Sequence, residues 1–191
     1  MGFLSVLSFA HVLVKDRVKP GDLAIDATMG NGNDTLVLAK LVGHTGHVFG
    51  FDVQAEALQQ TQERLGQHGL DSNRITLLLR DHADMLDSIP PGLHGKCAAV
   101  MFNLGYLPGA DPSVITRTDS TLRALEAALT LLRPGGVITA VVYPGHAGGG
   151  EEADAVAGWA SSLEQQRAQT LIYRFANQRT AAPYLIAVEK K

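Results

Sequence analysis

The chain has 191 residues, of which 46% are hydrophobic and 18% charged, with 20 glycines and one cysteine. That composition excludes fibrous, coiled-coil and disordered classes, and the length suits one domain that buries roughly two-thirds of its unfolded surface. A net charge of -3 excludes a protein that coats nucleic acid by bulk charge and leaves room only for a local basic patch. The longest stretch free of Asp, Glu, Lys and Arg, Pro134 to Gly150, is broken by prolines, a histidine and glycines, so it is unfit to span a bilayer. The opening residues lack a basic n-region and a small-residue cleavage site, so no secretory signal is expected. The lone Cys97 suits a reducing cytoplasm.

In chain order, a first helix is expected within residues 1–19, packing on the core through a face of Phe3, Leu4, Leu7, His11 and Val14 and closed by Pro20-Gly21. Apolar runs then alternate with helix-period segments. The runs predict strands at Leu23–Asp26, His47–Asp52, Ile75–Arg80, Ala98–Asn103, Val137–Tyr143, Thr170–Asn177 and Tyr184–Glu189. The helices between them are expected at Asp34–Leu41, Ala55–His68, Asp119–Leu132 and Glu151–Gln166. Thr118 or Asp119 is read as the cap of the third of these, Leu122, Leu125, Leu129 and Leu132 as its buried stripe, and Pro134-Gly135-Gly136 as its stop. Glu151, Glu152 and Asp154 are read as first-turn carboxylates opposing the dipole of the last helix. Only Gln178 to Pro183 separate the final strands, too few for a crossover helix, so an antiparallel hairpin is expected at the sheet edge. The whole predicts an α/β fold over residues 1–191: a seven-stranded, mostly parallel sheet with helices on both faces.

The segment Asp26 to Asp34, DATMGNGND, falls where the first strand gives way to a helix. Glycines there allow positive φ and a close backbone approach, and free N–H groups of the new helix can meet polar atoms of a ligand. The second strand ends at Asp52, twenty residues past Gly32, where a carboxylate can accept both hydroxyls of a ribose. A tight turn followed by a helix-capping Asp is the bland reading of the same residues. Dinucleotides and S-adenosylmethionine share this geometry. The third glycine of a dinucleotide fingerprint would fall on Thr35, and Asn31, Asn33 and Asp34 suit a methionine ammonium and carboxylate better than a pyrophosphate. The methyl donor is favoured. Leu132-Arg133-Pro134-Gly135-Gly136 and the terminal hairpin also look like the Rossmann-like class I methyltransferase fold.

Together DATMGNGNDT (26–35), GHVFGFDVQ (46–54), FNLGYLPG (102–109) and FANQRTAAPYLIAVEK (175–190) resemble a small bacterial family labelled as rRNA methylases. Some of its members are assigned as tRNA 5-aminomethyl-2-thiouridine methyltransferases acting at the wobble position. The resemblance implies S-adenosylmethionine as cofactor, with Asp26, Gly30, Asn31, Gly32, Asn33 and Asp34 on its methionine moiety. It places Asp52 on the ribose with Gln54 beside it, and Asp81 and His82 against the adenine. For Asp81, an N-cap of the following short helix is an equal reading, and one residue can serve both.

The loop after the fourth strand, Asn103, Leu104, Gly105, Tyr106, Leu107, Pro108 and Gly109, should overlook the donor methyl. An amine acceptor must arrive neutral, so Asn103 can accept its N–H groups while Tyr106 stacks on a uracil. His146, after the fifth strand, is the remaining catalytic candidate, for phosphate contact or proton removal. Methylation at a pyrimidine C5 needs a cysteine nucleophile, and Cys97 opens the fourth strand at its far end. Carbon methylation by that route is disfavoured, which fits the exocyclic amine acceptor that the resemblance implies, with tRNA through its anticodon arm as the implied partner. Methylation of rRNA or a small amine is the alternative within the fold, and a non-catalytic nucleotide-binding module the alternative outside it.

His44 and His47 stand without further ligands nearby in sequence, so no metal is expected. Residues 51–100 hold 4 basic and 7 acidic side chains, which accounts for the net -3. From Arg167 to Lys191 five basic residues face Glu189 alone, a local +4. Arg117, Arg123, Arg174 and Arg179 are candidates for an RNA-binding patch at the catalytic edge. A homodimer is one way to extend that surface.

Overall fold

A computed structural model of the chain describes residues 2–70, 73–105, 115–178 and 181–191. The elements are α1 (Val6–Arg17), β1 (Leu23–Asp26), α2 (Asn33–Val42), β2 (His47–Asp52), α3 (Ala55–Gln67), β3 (Ile75–Leu79), α4 (Met85–Ser88), β4 (Cys97–Leu104), α5 (Thr118–Leu131), β5 (Leu132–Val142), α6 (Gly149–Ser162), β6 (Ala168–Tyr173) and β7 (Tyr184–Lys190). The seven strands form one sheet in the order β3-β2-β1-β4-β5-β7-β6. The first five are parallel, and β7 runs antiparallel between β5 and the edge strand β6.

Both faces are covered, which is why β1 is apolar up to its last residue and buried at all four positions. One face packs Ile25, Phe49, Phe51 and Phe102 under α4, α5 and α6. The other packs Ala24, Val48 and Met101 under Val14 of α1, Leu38 of α2 and Leu65 of α3. The strand order reverses between β1 and β4, so their carboxyl ends part to leave a crevice, the place where open α/β sheets bind ligands.

Several expectations need correction. Helix α1 begins at Val6, with Ser5 accepting from the Ser8 N–H at 3.1 Å. It buries Ala10 and Val14, with Val6, Phe9 and Leu13 against Val141, Leu185 and Ala187, and leaves Phe3 (87%), Leu4 and Leu7 exposed. The buried stripe is thus rotated from the face read in the sequence. Arg117, without a side-chain bond, is the N-cap of α5 in place of Thr118 or Asp119. Strand β5 starts at Leu132, because Leu132 pairs with Cys97 at the start of β4, and the Pro-Gly-Gly segment forms the irregularity between that pair and Val137–Ala99. A Cβ at Gly136 would lie 2.9 Å from the Cys97 carbonyl, which explains the glycine. Helix α6 starts at Gly149, so Asp154 lies past its first turn. It ends at Ser162, not Gln166, where Arg167 and Ala168 N–H groups turn back onto the Glu164 carbonyl at 2.8 and 3.0 Å. Strand β6 accordingly runs from Ala168 and stops at Tyr173, short of Asn177.

Candidate functional site

The loop after β1 is built by its neighbours. Asp26 is fully buried and accepts from the Thr28 N–H at 3.2 Å and the Thr35 hydroxyl at 2.6 Å. Burial, reinforced by the Asp34 charge, pushes its carboxyl up to about 7. Asp52 accepts from the Gly30 N–H and the Gln54 N–H, both at 3.0 Å, which orients its carboxylate at the end of β2. From α3, Thr61 donates to the Gly30 carbonyl at 3.1 Å and Arg64 to the Asn31 carbonyl at 2.5 Å. Gly32 has φ +75, and a Cβ there would lie 2.9 Å from the Thr61 Cα, so only glycine fits. The Asn31 side chain keeps a buried, unpartnered Oδ1, whereas Asn33 is exposed.

A cavity of about 570 Å³ opens beside this loop. Ala27 and Thr28 line it from β1, Asp52, Val53 and Gln54 from β2, Arg80, Asp81 and His82 from β3, Asn103 and Gly105 from β4, and Ile115 to Arg117 with Ser120 from the start of α5. Asp81 caps the turn at His82–Asp84 by accepting from the Ala83 N–H at 2.8 Å, and still faces the cavity. His82 is 7% exposed and sets its ring edge on Phe102 at 5.8 Å. Burial lowers its pKa against the opposing pull of Asp81, and its Nε2, 3.8 Å from Asp81 Oδ1, has no hydrogen-bond partner.

At the end of β4 the Asn103 N–H donates to the Thr28 hydroxyl at 2.7 Å, and its side-chain Nδ2 donates to Asp34 Oδ2 at 2.5 Å. Asn103 Oδ1 is left buried and unpartnered. The other oxygen of Asp34 lies 2.6 Å from His11 Nε2. Tyr143 is half-buried nearby; burial first, and the Asp34 charge second, raise its hydroxyl above the usual range. The His146 ring lies 3.5 Å from where a Gly105 Cβ would be, and a Cβ at Gly149 would strike the Tyr143 carbonyl at 2.3 Å. Glu152, in the first turn of α6 as expected, is 3% exposed and accepts from Thr116 at 2.6 Å and Thr121 at 2.7 Å.

Among residues expected at the acceptor, Tyr106, Pro108 and Arg179 lie outside the described residues. Leu104 is 1% exposed and belongs to the core rather than to a substrate surface. Arg117 stands at the cavity rim, but Arg123 lines a separate groove with Leu86 and Leu122, and Arg174 lies over the Tyr184 ring at 5.5 Å. Among the described residues, the basic side chains of the C-terminal stretch divide between the two ends of the sheet: Arg174, over Tyr184, lies at the carboxyl end of β5. Register places Arg167 and Lys190 beside the pairs Ala168 to Lys190 and Val137 to Glu189, at the opposite edge. Burial pushes the Cys97 thiol up to about 12 at that same far edge, so it is no nucleophile. Arg80, Thr116 and Ser120 escaped the sequence reading because no motif carries them. His11 was assigned there to a core face. His47 bonds the Thr76 hydroxyl at 2.9 Å on the β2–β3 pair.

Residues 48–189 match the protein family described as "Putative rRNA methylase". The chain belongs to this family. It is 39% identical over 189 residues to the chloroplastic tRNA (mnm(5)s(2)U34)-methyltransferase of Arabidopsis thaliana, covering 95% of this chain and 68% of that one. The crystal structure of a protein from Clostridium thermocellum described as "putative rRNA-methylase" matches with a TM-score of 0.95 at 40% identity over 100% of both chains. A methyltransferase from Streptococcus mutans, solved in complex with SAH, matches with a TM-score of 0.88 at 35% identity, again over 100% of both. The fold is that of the class I methyltransferases, and the protein is an S-adenosylmethionine-dependent RNA methyltransferase. Its own residues fit that cofactor: a cavity of suitable size, an oriented carboxylate at Asp52, and the unpartnered buried atoms Asn31 Oδ1 and His82 Nε2.

Proposed function

We propose that the protein methylates the exocyclic amine of 5-aminomethyl-2-thiouridine at the tRNA wobble position. Identity of 39% to a wobble-uridine methyltransferase across 95% of the chain carries this reading. An rRNA small subunit methyltransferase H 2 of Alkaliphilus metalliredigens aligns over only 32% of the chain. The local chemistry agrees. Asn103 Oδ1 is a buried acceptor without a donor, which suits an incoming N–H, and Cys97 is removed from the cavity.

When bound, S-adenosylmethionine would supply a sulfonium methyl to a neutral amine that attacks it in line, with S-adenosylhomocysteine as the leaving group and the extra proton on the methylated nitrogen passing to solvent. On this reading Asp52 holds the ribose hydroxyls, with the Gly30 and Gln54 N–H groups keeping its carboxylate aimed. Asp81, His82 and Gln54 border the adenine. Gly30, Asn31 and Gly32 face the methionine moiety, and Asp26 shapes the loop from beneath it. Asn103 orients the acceptor nitrogen, Tyr106 stacks on the uracil, and His146 stands beside Gly105 at the rim. Arg117 and Arg179 contact RNA backbone near the anticodon arm, with Gly105 and Pro108 shaping the acceptor loop. We read residues 1–191 as one catalytic domain that works in the cytoplasm, and a homodimer as the means of extending its RNA surface.

Nucleoside mass analysis of tRNA from a strain lacking the gene tests the substrate. Accumulation of 5-aminomethyl-2-thiouridine, reversed by the purified enzyme with S-adenosylmethionine, supports the assignment. An unchanged tRNA profile with a missing methyl in rRNA would replace it.

A further inference from the structure

Three side chains from distant parts of the sequence form one hydrogen-bonded chain that ends at the acceptor side of the cavity. His11, on α1, lies 2.6 Å by Nε2 from Asp34 Oδ1; Asp34, in the first turn of α2, takes Asn103 Nδ2 on Oδ2 at 2.5 Å. A carboxylate only accepts, so the imidazole donates at Nε2. The Asn103 amide has two ends, and its bond to Asp34 fixes which one points where. Nδ2 is held by the carboxylate, and Oδ1, buried without a partner, is the end left for a ligand. Without that bond the amide could rotate and present N–H groups, which would repel the protons of an amine instead of accepting them.

Asp34 is 8% exposed, so its carboxylate is costly unless its lone pairs are met. Asn103 Nδ2 meets one of its oxygens, and His11 meets the other from a different element. The N-terminal segment is anchored just before α1 and at its last residue. Tyr173 on β6 donates to the Leu4 carbonyl at 2.9 Å, and Arg17 donates to Glu189 on β7. The helix therefore spans the sheet from its catalytic edge to the opposite one, with His11 between the two anchors.

We infer that His11 is a positioning residue for methyl transfer: it holds Asp34 so that Asp34 sets the Asn103 amide with its oxygen toward the acceptor amine. The inference rests on the amine-acceptor reading above. It gives the N-terminal helix a part in acceptor geometry as well as in packing.

The test compares His11→Leu, which removes the donor, with His11→Gln, whose amide nitrogen can stand near the Nε2 position, on tRNA from the gene-deleted strain. His11→Leu is expected to lower kcat about tenfold or more while the dissociation constant for S-adenosylhomocysteine stays within about twofold. His11→Gln should recover most of the loss. In an Asn103→Ala background, where nothing remains to be aimed, adding His11→Leu should cost no further kcat. Full kcat in folded His11→Leu overturns the inference, as does a parallel loss of S-adenosylhomocysteine affinity, which would place the chain in the donor site. If His11→Leu does not fold, His11→Gln and the Asn103→Ala double variant with His11→Gln decide by the same comparison: a kcat loss in the first that persists in the second overturns it. A wild-type enzyme inactive on this tRNA overturns the substrate reading itself, a result distinct from any His11 effect.

Discussion

At the scale of single residues, Asp26 shows how a motif position can matter through burial more than contact. The sequence marks it as a strand-end acid, a natural ligand, yet it is closed off beneath the loop with Thr28 and Thr35 as its donors. Its carboxyl moves from 3.8 to about 7, first because burial penalises the charge and then because Asp34 is near. Between those values the folded protein holds a proton that the unfolded chain has released. The contribution of Asp26 therefore makes the protein less stable as pH rises from about 4 to 7, and is constant above that. Asp26→Asn keeps an acceptor for the Thr28 N–H and can donate to the Thr35 hydroxyl, but has nothing to ionise. The melting temperature of the variant relative to the wild type should climb between pH 5 and 7.5 and level off beyond. A difference independent of pH would assign the effect to packing.

Element by element, the glycine loop after β1 owes its shape to α3 as much as to its own glycines. Thr61 and Arg64 hold the carbonyls of Gly30 and Asn31, and the Thr61 backbone leaves no volume at Gly32. Gly32→Ala combines strain at positive φ with a clash against backbone, and should cost about 1–3 kcal/mol in denaturant unfolding and weaken S-adenosylhomocysteine binding. Gly66, also on α3, has open space where its Cβ would be, and Gly66→Ala should gain about 0.5–1 kcal/mol with unchanged binding. Equal effects of the two substitutions would remove the argument for a built loop. The same scale explains the misplaced element ends. Hydrophobic periodicity located every strand, but β5 extends back through Pro134 because a neighbouring strand is there to pair with it, and α6 stops where a turn closes on Glu164. Such limits depend on partners that a local pattern does not contain.

Across the whole molecule, charge is arranged by the sheet and not by the order of residues. The basic C-terminal stretch divides between the two ends of the sheet, because β7 runs antiparallel and carries Lys190 away from the cavity. Arg80 and Arg117, which come from strands and helices far apart in sequence, instead flank it. Arg117→Glu should raise the KM for tRNA about tenfold at low salt and flatten its salt dependence, with S-adenosylhomocysteine affinity unchanged. An unaltered tRNA KM would place RNA on another face. By itself the sequence determined the α/β class, the parallel sheet with its terminal antiparallel pair, and the glycine loop after β1 with Asp52 at the end of β2, because those rest on local periodicity and on glycines whose conformation is intrinsic. Only the tertiary structure decided that His11 reaches Asp34, that Glu152 is buried between two threonines, and that Leu104 belongs to the core. Each of these depends on which elements pack together, and that is set by the sheet order, which no stretch of neighbouring residues encodes.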